Sequence, residues 1–218
     1  MANKGYDPKK WDKYARSHAS VLTSFQLELY REAASHLVGD VIDCGCGTAR
    51  LMPFLAGSTA VSSYVGVDSS AEMVTTAQWI LQRLQKPTFR IINSKIEEVG
   101  GCYTSAVSIH SYYAWPDPLA ILRHIYTLLS PGTTFVLATP NQSLDMGNIL
   151  YEAEKELIAH PDYDEFKALN QQFANHPVAR FIPMDQLIHQ VRSVGFHIVE
   201  CHQKHYMGGV NYLILSKD

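Results

Sequence analysis

Short apolar runs alternate with stretches of helical spacing through the first 140 residues, and that rhythm leaves few folds open. The runs near 38–44, 62–68, 88–93, 103–110 and 133–140 are short and rich in Val, Ile, Tyr and Phe, as buried strands are. Segments 71–85 and 118–129 carry apolar residues at three- and four-residue intervals; Ser69 or Ser70 stands where the N-cap of the first belongs. Residues 48–56 read as a further short helix. Strands alternating with helices indicate βαβ units, a parallel sheet with both faces covered. Ahead of them, Val21, Leu22, Phe25, Leu29 and Ala33 form a helical stripe, read as two helices meeting near Ser20. Beyond Asn141 the pattern changes: 143–175 is polar and helical with a break at His160-Pro161, and 184–195 is another helix. Two last strands, joined at Gly208-Gly209, put an antiparallel strand into the sheet.

Composition excludes several classes. With 18 Lys and Arg against 21 Asp and Glu the net charge is -3, which argues against a strongly basic nucleic-acid binder. Four scattered cysteines make no disulfide framework, so a reducing, cytoplasmic setting is expected. The opening MANKGYDPKKW lacks the apolar core of a signal peptide, and no run is long enough for a membrane span. At 218 residues one domain is expected, with no partner beyond a small acceptor and a second copy of the chain at most.

Asp43-Cys44-Gly45-Cys46-Gly47-Thr48-Ala49-Arg50 ends the first strand. Gly45 and Gly47 permit a tight turn and close approach to a ligand, and the following amides are unpaired donors. Asp68, ending the second strand, is placed to accept from ribose hydroxyls. A dinucleotide fingerprint needs a third glycine where Arg50 stands, which disfavours an NAD-dependent reductase. The acid two places before Gly45 instead resembles motif I of the class I S-adenosylmethionine-dependent methyltransferases. YVGVDSSAEMV at 64–74 and the block from Ser108 to Asn141 resemble the same family. The fold this resemblance implies is Rossmann-like: a seven-stranded, mostly parallel sheet with an antiparallel last strand and helices on both faces. Residues 1–38 would be helices over the cofactor, 39–139 the cofactor-binding core, 141–182 a substrate lid and 183–218 the last helix and strand pair.

The resemblance implies S-adenosylmethionine as cofactor and S-adenosylhomocysteine as product. Asp43 would balance the cofactor's ammonium, with Gly45, Cys46 and Gly47 beneath it. Asp68 and Ser69 would hold the ribose, and Met73, Ser94, Lys95 and Ile96 would surround the adenine. Tyr14 and His110 would stand at the methionine end. Two departures from the family pattern are visible. Ala49 replaces a third glycine, a small change that should be tolerated where its φ is negative. The acid that faces the adenine amine is absent, leaving Ser94 or a backbone group to accept that bond.

Methyl transfer from a sulfonium is a direct displacement that needs alignment and exclusion of water. His110, at the end of the fourth strand, reads either as a general base or as a packing, hydrogen-bonding group. Tyr113 would hold the acceptor or assist the reaction. Tyr6, Trp11, Trp115, His205 and Tyr206 are expected around the mouth, and Arg180 is a candidate for an acceptor carboxylate or phosphate. The expected reaction is methyl transfer to a small molecule, on oxygen, nitrogen or carbon. Alternatives are a protein or RNA methyltransferase, and a cofactor-binding protein of this fold that does not transfer methyl. Tyr151-x-x-x-Lys155, Cys44-x-Cys46 and His202-x-x-His205 match dehydrogenase, redox and metal patterns in isolation. Each lacks its partners, and no metal is expected.

Overall fold

The structure, a computed structural model, describes residues 8–176 and 181–218. A seven-stranded sheet forms its centre: β1 (Gly39–Cys44), β2 (Val61–Asp68), β3 (Phe89–Asn93), β4 (Tyr103–Ile109), β5 (Leu129–Pro140), β6 (His197–Lys204) and β7 (Val210–Lys217). The strands lie in the order β3-β2-β1-β4-β5-β7-β6. The first five pair in parallel, and β7 runs antiparallel between β5 and β6. The chain moves outward from β1 to β3 and then returns to β4 on the other side of β1. Such a reversal opens a crevice at the strands' C-terminal ends, where ligands bind in open α/β sheets.

Alternation along the strands fills two cores. On one face Ile42, Val65, Phe135 and Leu213 pack with Leu122 and Ile125 of α6 (Pro118–Leu128) and Leu187 and Val191 of α9 (Met184–Val194). On the other, Val41, Tyr64, Val107 and Val136 meet α3 (Ser24–Ser35), α4 (Met52–Ala56) and α5 (Ala71–Leu84). A third cluster joins Tyr14, Ala15 and Val21 to Leu150 and Ala153 of α7 (Met146–Leu157) and Phe166 and Phe173 of α8 (Tyr163–Ala174). In front lie α1 (Pro8–Asp12) and α2 (Ala15–Ser20).

Local chemistry sets the ends of these elements. Thr23 and Gln26 form a reciprocal capping box at α3, Ser70 caps α5, and Asp117 followed by Pro118 starts α6. The helix expected over 48–56 is confined to Met52–Ala56, because Gly47 and Ala49 hold positive φ and keep the chain out of helical geometry. β5 begins at Leu129, directly after α6, rather than at Thr133. Leu129 pairs with Tyr103 and Thr134 with Ser105, so Ser130–Thr133 bulge out of register. The exposed edge strand β6 carries His197, Glu200, His202 and Lys204, which discourages edge-to-edge pairing. No helix among the described residues is long and apolar enough to cross a membrane.

Candidate active site

A cavity of about 340 Å³ opens over the C-terminal ends of β1, β2 and β4, within the size range of small-molecule sites. Its floor is the glycine turn. Gly45 has φ +83°, and a Cβ there would sit 2.3 Å from Cβ of Ser111. Ser111 Oγ in turn donates to the carbonyl of Cys44 at 2.7 Å. The loop after β4 therefore closes directly on the turn. The Gly47 amide donates to Asp68 Oδ2 at 2.8 Å, and the Ser70 amide donates to Oδ1 at 2.9 Å. Asp68 thus ties the turn to the start of α5, and each oxygen retains a further lone pair for a ligand hydroxyl. Burial raises its pKa, and the amides of Ser70, Gly47 and Ser69 oppose that rise.

Asp43 is 4% exposed and accepts a hydrogen bond from Tyr64 Oη at 2.8 Å. Burial pushes its pKa up to about 7, against the Tyr64 hydrogen bond and with help from Asp68. Ala49 adopts φ +56°, so the condition for an easy glycine-to-alanine exchange is not met: the turn keeps the left-handed conformation a third glycine would take. An alanine in that region costs about 1–2 kcal/mol. The Ala49 amide bond to the carbonyl of Cys46, at 2.8 Å, and complete burial hold it there.

Further along the floor, Met73 and Ile96 supply buried apolar surface, with Ser69, Ser94 and Lys95 beside them. Ser94 Oγ donates to the Lys95 carbonyl at 3.1 Å, and Lys95 pairs with Glu98 at 3.6 Å. Cys46 lines the cavity as a thiol, its pKa pushed well up by burial. Among the described residues no cluster of His, Cys, Asp and Glu is suited to a metal ion. Tyr151, half of the dehydrogenase-like pair, is 61% exposed on the outside of α7.

The roof is aromatic. Trp11 stacks on Phe173 with centroids 4.4 Å apart, and Tyr14 meets the same ring edge-on at 5.2 Å. Asn170 Nδ2 of α8 donates to Tyr14 Oη at 2.8 Å. Burial pushes the Tyr14 phenol up to about 12. Tyr113 lies edge-on to Phe181 at 5.8 Å and 6.1 Å from Trp11. The aromatic residues of the 112–115 segment diverge: Tyr113 faces the cavity, and Tyr112 Oη donates to Gln190 at 2.6 Å in the core. Trp115 lines the cavity with its ring but gives its Nε1 hydrogen to Ser111 Oγ at 3.1 Å.

His110 stands in the wall with φ +56° and neither ring nitrogen partnered. Burial lowers its pKa to about 3, with Arg50 and then His205 adding to the effect. A proton acceptor near neutrality needs a pKa near 7, so this ring has the basicity of a neutral hydrogen-bonding group. Tyr206 meets it edge-on at 5.0 Å and stacks on Phe25 at 5.8 Å. His205, expected at the mouth, is placed elsewhere. Its side chain is outside the cavity lining, 2.9 Å from Glu32 and 3.7 Å from Glu28, because its φ of +57° turns it back onto α3. Tyr6 and Arg180 lie outside the described residues.

Several lining residues carry no local signal in the sequence. His18 packs under Gly47 and meets Thr48 Oγ1 at 2.9 Å; Asn170, Phe166 and Phe173 arrive from α8. Asp12 accepts from Ser70 Oγ at 2.6 Å and so docks α1 on the N-terminus of α5. The helical spacing of Phe166, Asn170 and Phe173 was the one available hint for α8.

The donor set fits a nucleoside with a cationic amino-acid tail: a cradle that tolerates no Cβ at Gly45, a buried carboxylate at each end, and apolar flanks. A family model described as a methyltransferase domain matches residues 11–201. Over 100 residues, 46% of this chain, the sequence is 29% identical to trans-aconitate 2-methyltransferase of Deinococcus radiodurans. The matched part spans 37% of that relative's length. Among solved structures, mycolic acid cyclopropane synthase CmaA1 complexed with SAH and CTAB is similar at a TM-score of 0.71 and 15% identity, over 99% of this chain and 98% of that one. Magnesium protoporphyrin IX methyltransferase (ChlM) from Synechocystis PCC 6803 with bound SAH is similar at 0.61 and 16% identity, over 96% and 87%. At these identities the structural likenesses speak for the fold.

Proposed function

The chain belongs to the methyltransferase domain family, and from that premise we propose that it methylates a small, partly aromatic or apolar acceptor held in the cavity over the strand ends. When bound, S-adenosylmethionine supplies a methyl carbon activated by its sulfonium. The protein's own part is binding, alignment and exclusion of water. Asp43 balances the ammonium, Asp68 takes the ribose hydroxyls, and Met73 and Ile96 flank the adenine with Ser94 and Lys95 at its edge. Tyr14, fixed by Asn170, and neutral His110 stand at the reactive end and orient the acceptor by hydrogen bonding. Tyr113, Trp115 and Tyr206 provide apolar walls with polar tips.

The observation that supports a small acceptor is the roof: α7 and α8 bring Leu150, Ala153, Phe166 and Phe173 into the cavity wall. A lid of that kind favours a small acceptor over a protein or RNA chain, which needs an open, flat or basic mouth. Calorimetric titration with S-adenosylhomocysteine and with NADH tests the cofactor, the first binding at micromolar concentration and the second not at all. A methyl-transfer assay over phenols, amines and carboxylic acids then tests the reaction. NADH binding in place of S-adenosylhomocysteine, or turnover only on protein or RNA, overturns the reading.

A further inference from the structure

Among the described residues, Asp43, Asp68, Lys95 and Glu97 are the Asp, Glu, Lys and Arg side chains of the cavity lining. All come from the ends of β1 and β2 and from the segment after β3. The rest of the described lining, from the front helices, α7, α8, the loop after β4 and the turn before β7, includes none. Arg50 is not part of the lining; it lies behind it, bonded to the Val21 carbonyl and to Tyr30. Several polar groups around this uncharged part are already engaged. Tyr14 Oη accepts from Asn170, His18 meets Thr48, and Ser111 Oγ donates to the Cys44 carbonyl.

His110 and Tyr206 differ. Both line the cavity, yet both ring nitrogens of His110 and the Tyr206 hydroxyl are sealed from solvent without a hydrogen-bond partner. Their rings meet edge to face, with centroids 5.0 Å apart. Buried polar atoms left unpaired are costly and call for an explanation. The backbone at both residues is strained, His110 at φ +56° and Tyr206 at +43° between His205 and Met207 at +57°. The turn that carries Tyr206 is fastened around it. His205 lies 2.9 Å from Glu32 of α3, and Asn141 donates to the carbonyls of Gly209 and Gly208 at 2.9 and 2.8 Å. Strain held by its surroundings in this way clusters where ligands bind. Tyr206 also enters far from the glycine turn, with β4 and β5 lying between β1 and β7.

We infer that His110 and Tyr206 form the acceptor's polar subsite, and that it takes an uncharged acceptor by a hydroxyl group. The inference rests on the methyl-transfer reading and selects among its acceptors. Burial keeps the imidazole neutral, its pKa lowered to about 3, and keeps the phenol protonated, its pKa pushed well up. A neutral imidazole offers one N–H donor and one lone pair, and a phenol both donates and accepts. A hydroxyl likewise gives one hydrogen bond and receives another, so a single group pairs a His110 nitrogen and the Tyr206 oxygen at once. An ammonium or carboxylate entering the same place loses its hydration and meets no opposite charge in this part of the described lining. An apolar group leaves all of these atoms unpaired.

The test is NMR titration of isosteric pairs, p-cresol with p-xylene and benzyl alcohol with ethylbenzene, into protein saturated with S-adenosylhomocysteine. Benzylamine and benzoate are titrated beside them. Wild type is expected to bind at least one hydroxyl compound about tenfold more tightly than its hydrocarbon, and more tightly than either charged compound. Tyr206→Phe and His110→Phe, which keep a ring and remove the polar atoms, each cut that preference to about threefold or less. Tyr206→Phe deletes an unpaired hydroxyl, so the melting temperature of the unliganded protein stays unchanged or rises. A fall would show the hydroxyl already satisfied and overturn the inference. Equal binding of alcohol and hydrocarbon, tighter binding of the amine or the carboxylate, or a preference that survives both variants also overturns it. So does loss of S-adenosylhomocysteine affinity in Tyr206→Phe with the hydroxyl preference intact, which assigns that oxygen to the cofactor. If His110→Phe does not fold, Tyr206→Phe alone carries the comparison. Failure of the methyl-transfer reading shows separately, as wild type that does not bind S-adenosylhomocysteine; hydroxyl preference in the unliganded protein then still tests the subsite.

Discussion

Asp43 retains a proton up to about pH 7 in the folded chain, against an ordinary value of 3.8. Between those values the folded state binds more protons than the unfolded one, so this residue's contribution to stability is present below pH 3.8 and is lost as pH rises through 7. Comparison of Asp43→Asn with wild type by denaturant unfolding should remove a pH-dependent loss on the order of a few kcal/mol between those limits. If the cofactor's ammonium pairs with Asp43, binding expels that proton. S-adenosylhomocysteine affinity should then climb from about pH 5.5 toward 7 by up to about tenfold per unit and level off above. A flat calorimetric profile would remove Asp43 from that role. Gly45→Ala, which drives a Cβ against Ser111 at positive φ, should cost roughly 2–4 kcal/mol in the same unfolding experiment. Asp43, Gly45 and Asp68 were legible in the sequence because strand ends fix their place. Tyr113 and Trp115 were expected at the mouth and both reach the cavity; that Tyr112 turns away, to Gln190 in the core, was not legible, because residue type does not say which ring of a short turn points inward.

At the level of elements, the front helices and α7–α8 form one covering. Asn170 bonds to Tyr14, Arg16 pairs with Asp162 at 3.3 Å, and Ser24 donates to Glu156 at 2.9 Å. These three links are polar, two of them are exposed, and the apolar cluster beneath them is the smallest of the three described, so the covering should open at lower free energy than the sheet. Amide exchange in α2, α7 and α8 should therefore slow on binding S-adenosylhomocysteine, while α6 and α9, packed on the far face, stay unchanged. Equal protection everywhere would deny the covering its independence. Asn170→Ala should cost about 1 kcal/mol and speed exchange in α8 specifically. The helices themselves could be read from their spacing and from the break at His160-Pro161. Their placement over the cavity could not, since Phe166, Asn170 and Phe173 reach it only through the packing of α8 against α2.

For the whole molecule, ligand and fold are coupled by mass action. At a hundredfold excess over its dissociation constant, S-adenosylhomocysteine should add about 2.7 kcal/mol and raise the melting temperature by about 5–10 °C. No shift would mean no binding to the native state. The parallel core was readable because each strand is followed by its crossover, and right-handed connections leave little freedom in laying them down. The closing pair was readable as a hairpin, but not its order, with β7 inside and β6 at the edge. That order has a price in time. β5 finishes at Pro140, and the strand that covers its open side begins at Val210. At about 5–20 residues per second, synthesis of the intervening stretch of about 70 residues takes several seconds. For that interval an apolar strand edge on the nascent chain stands bare, so translation speed through 141–209, and any holdase that covers the edge, should govern how much of this protein reaches its folded form.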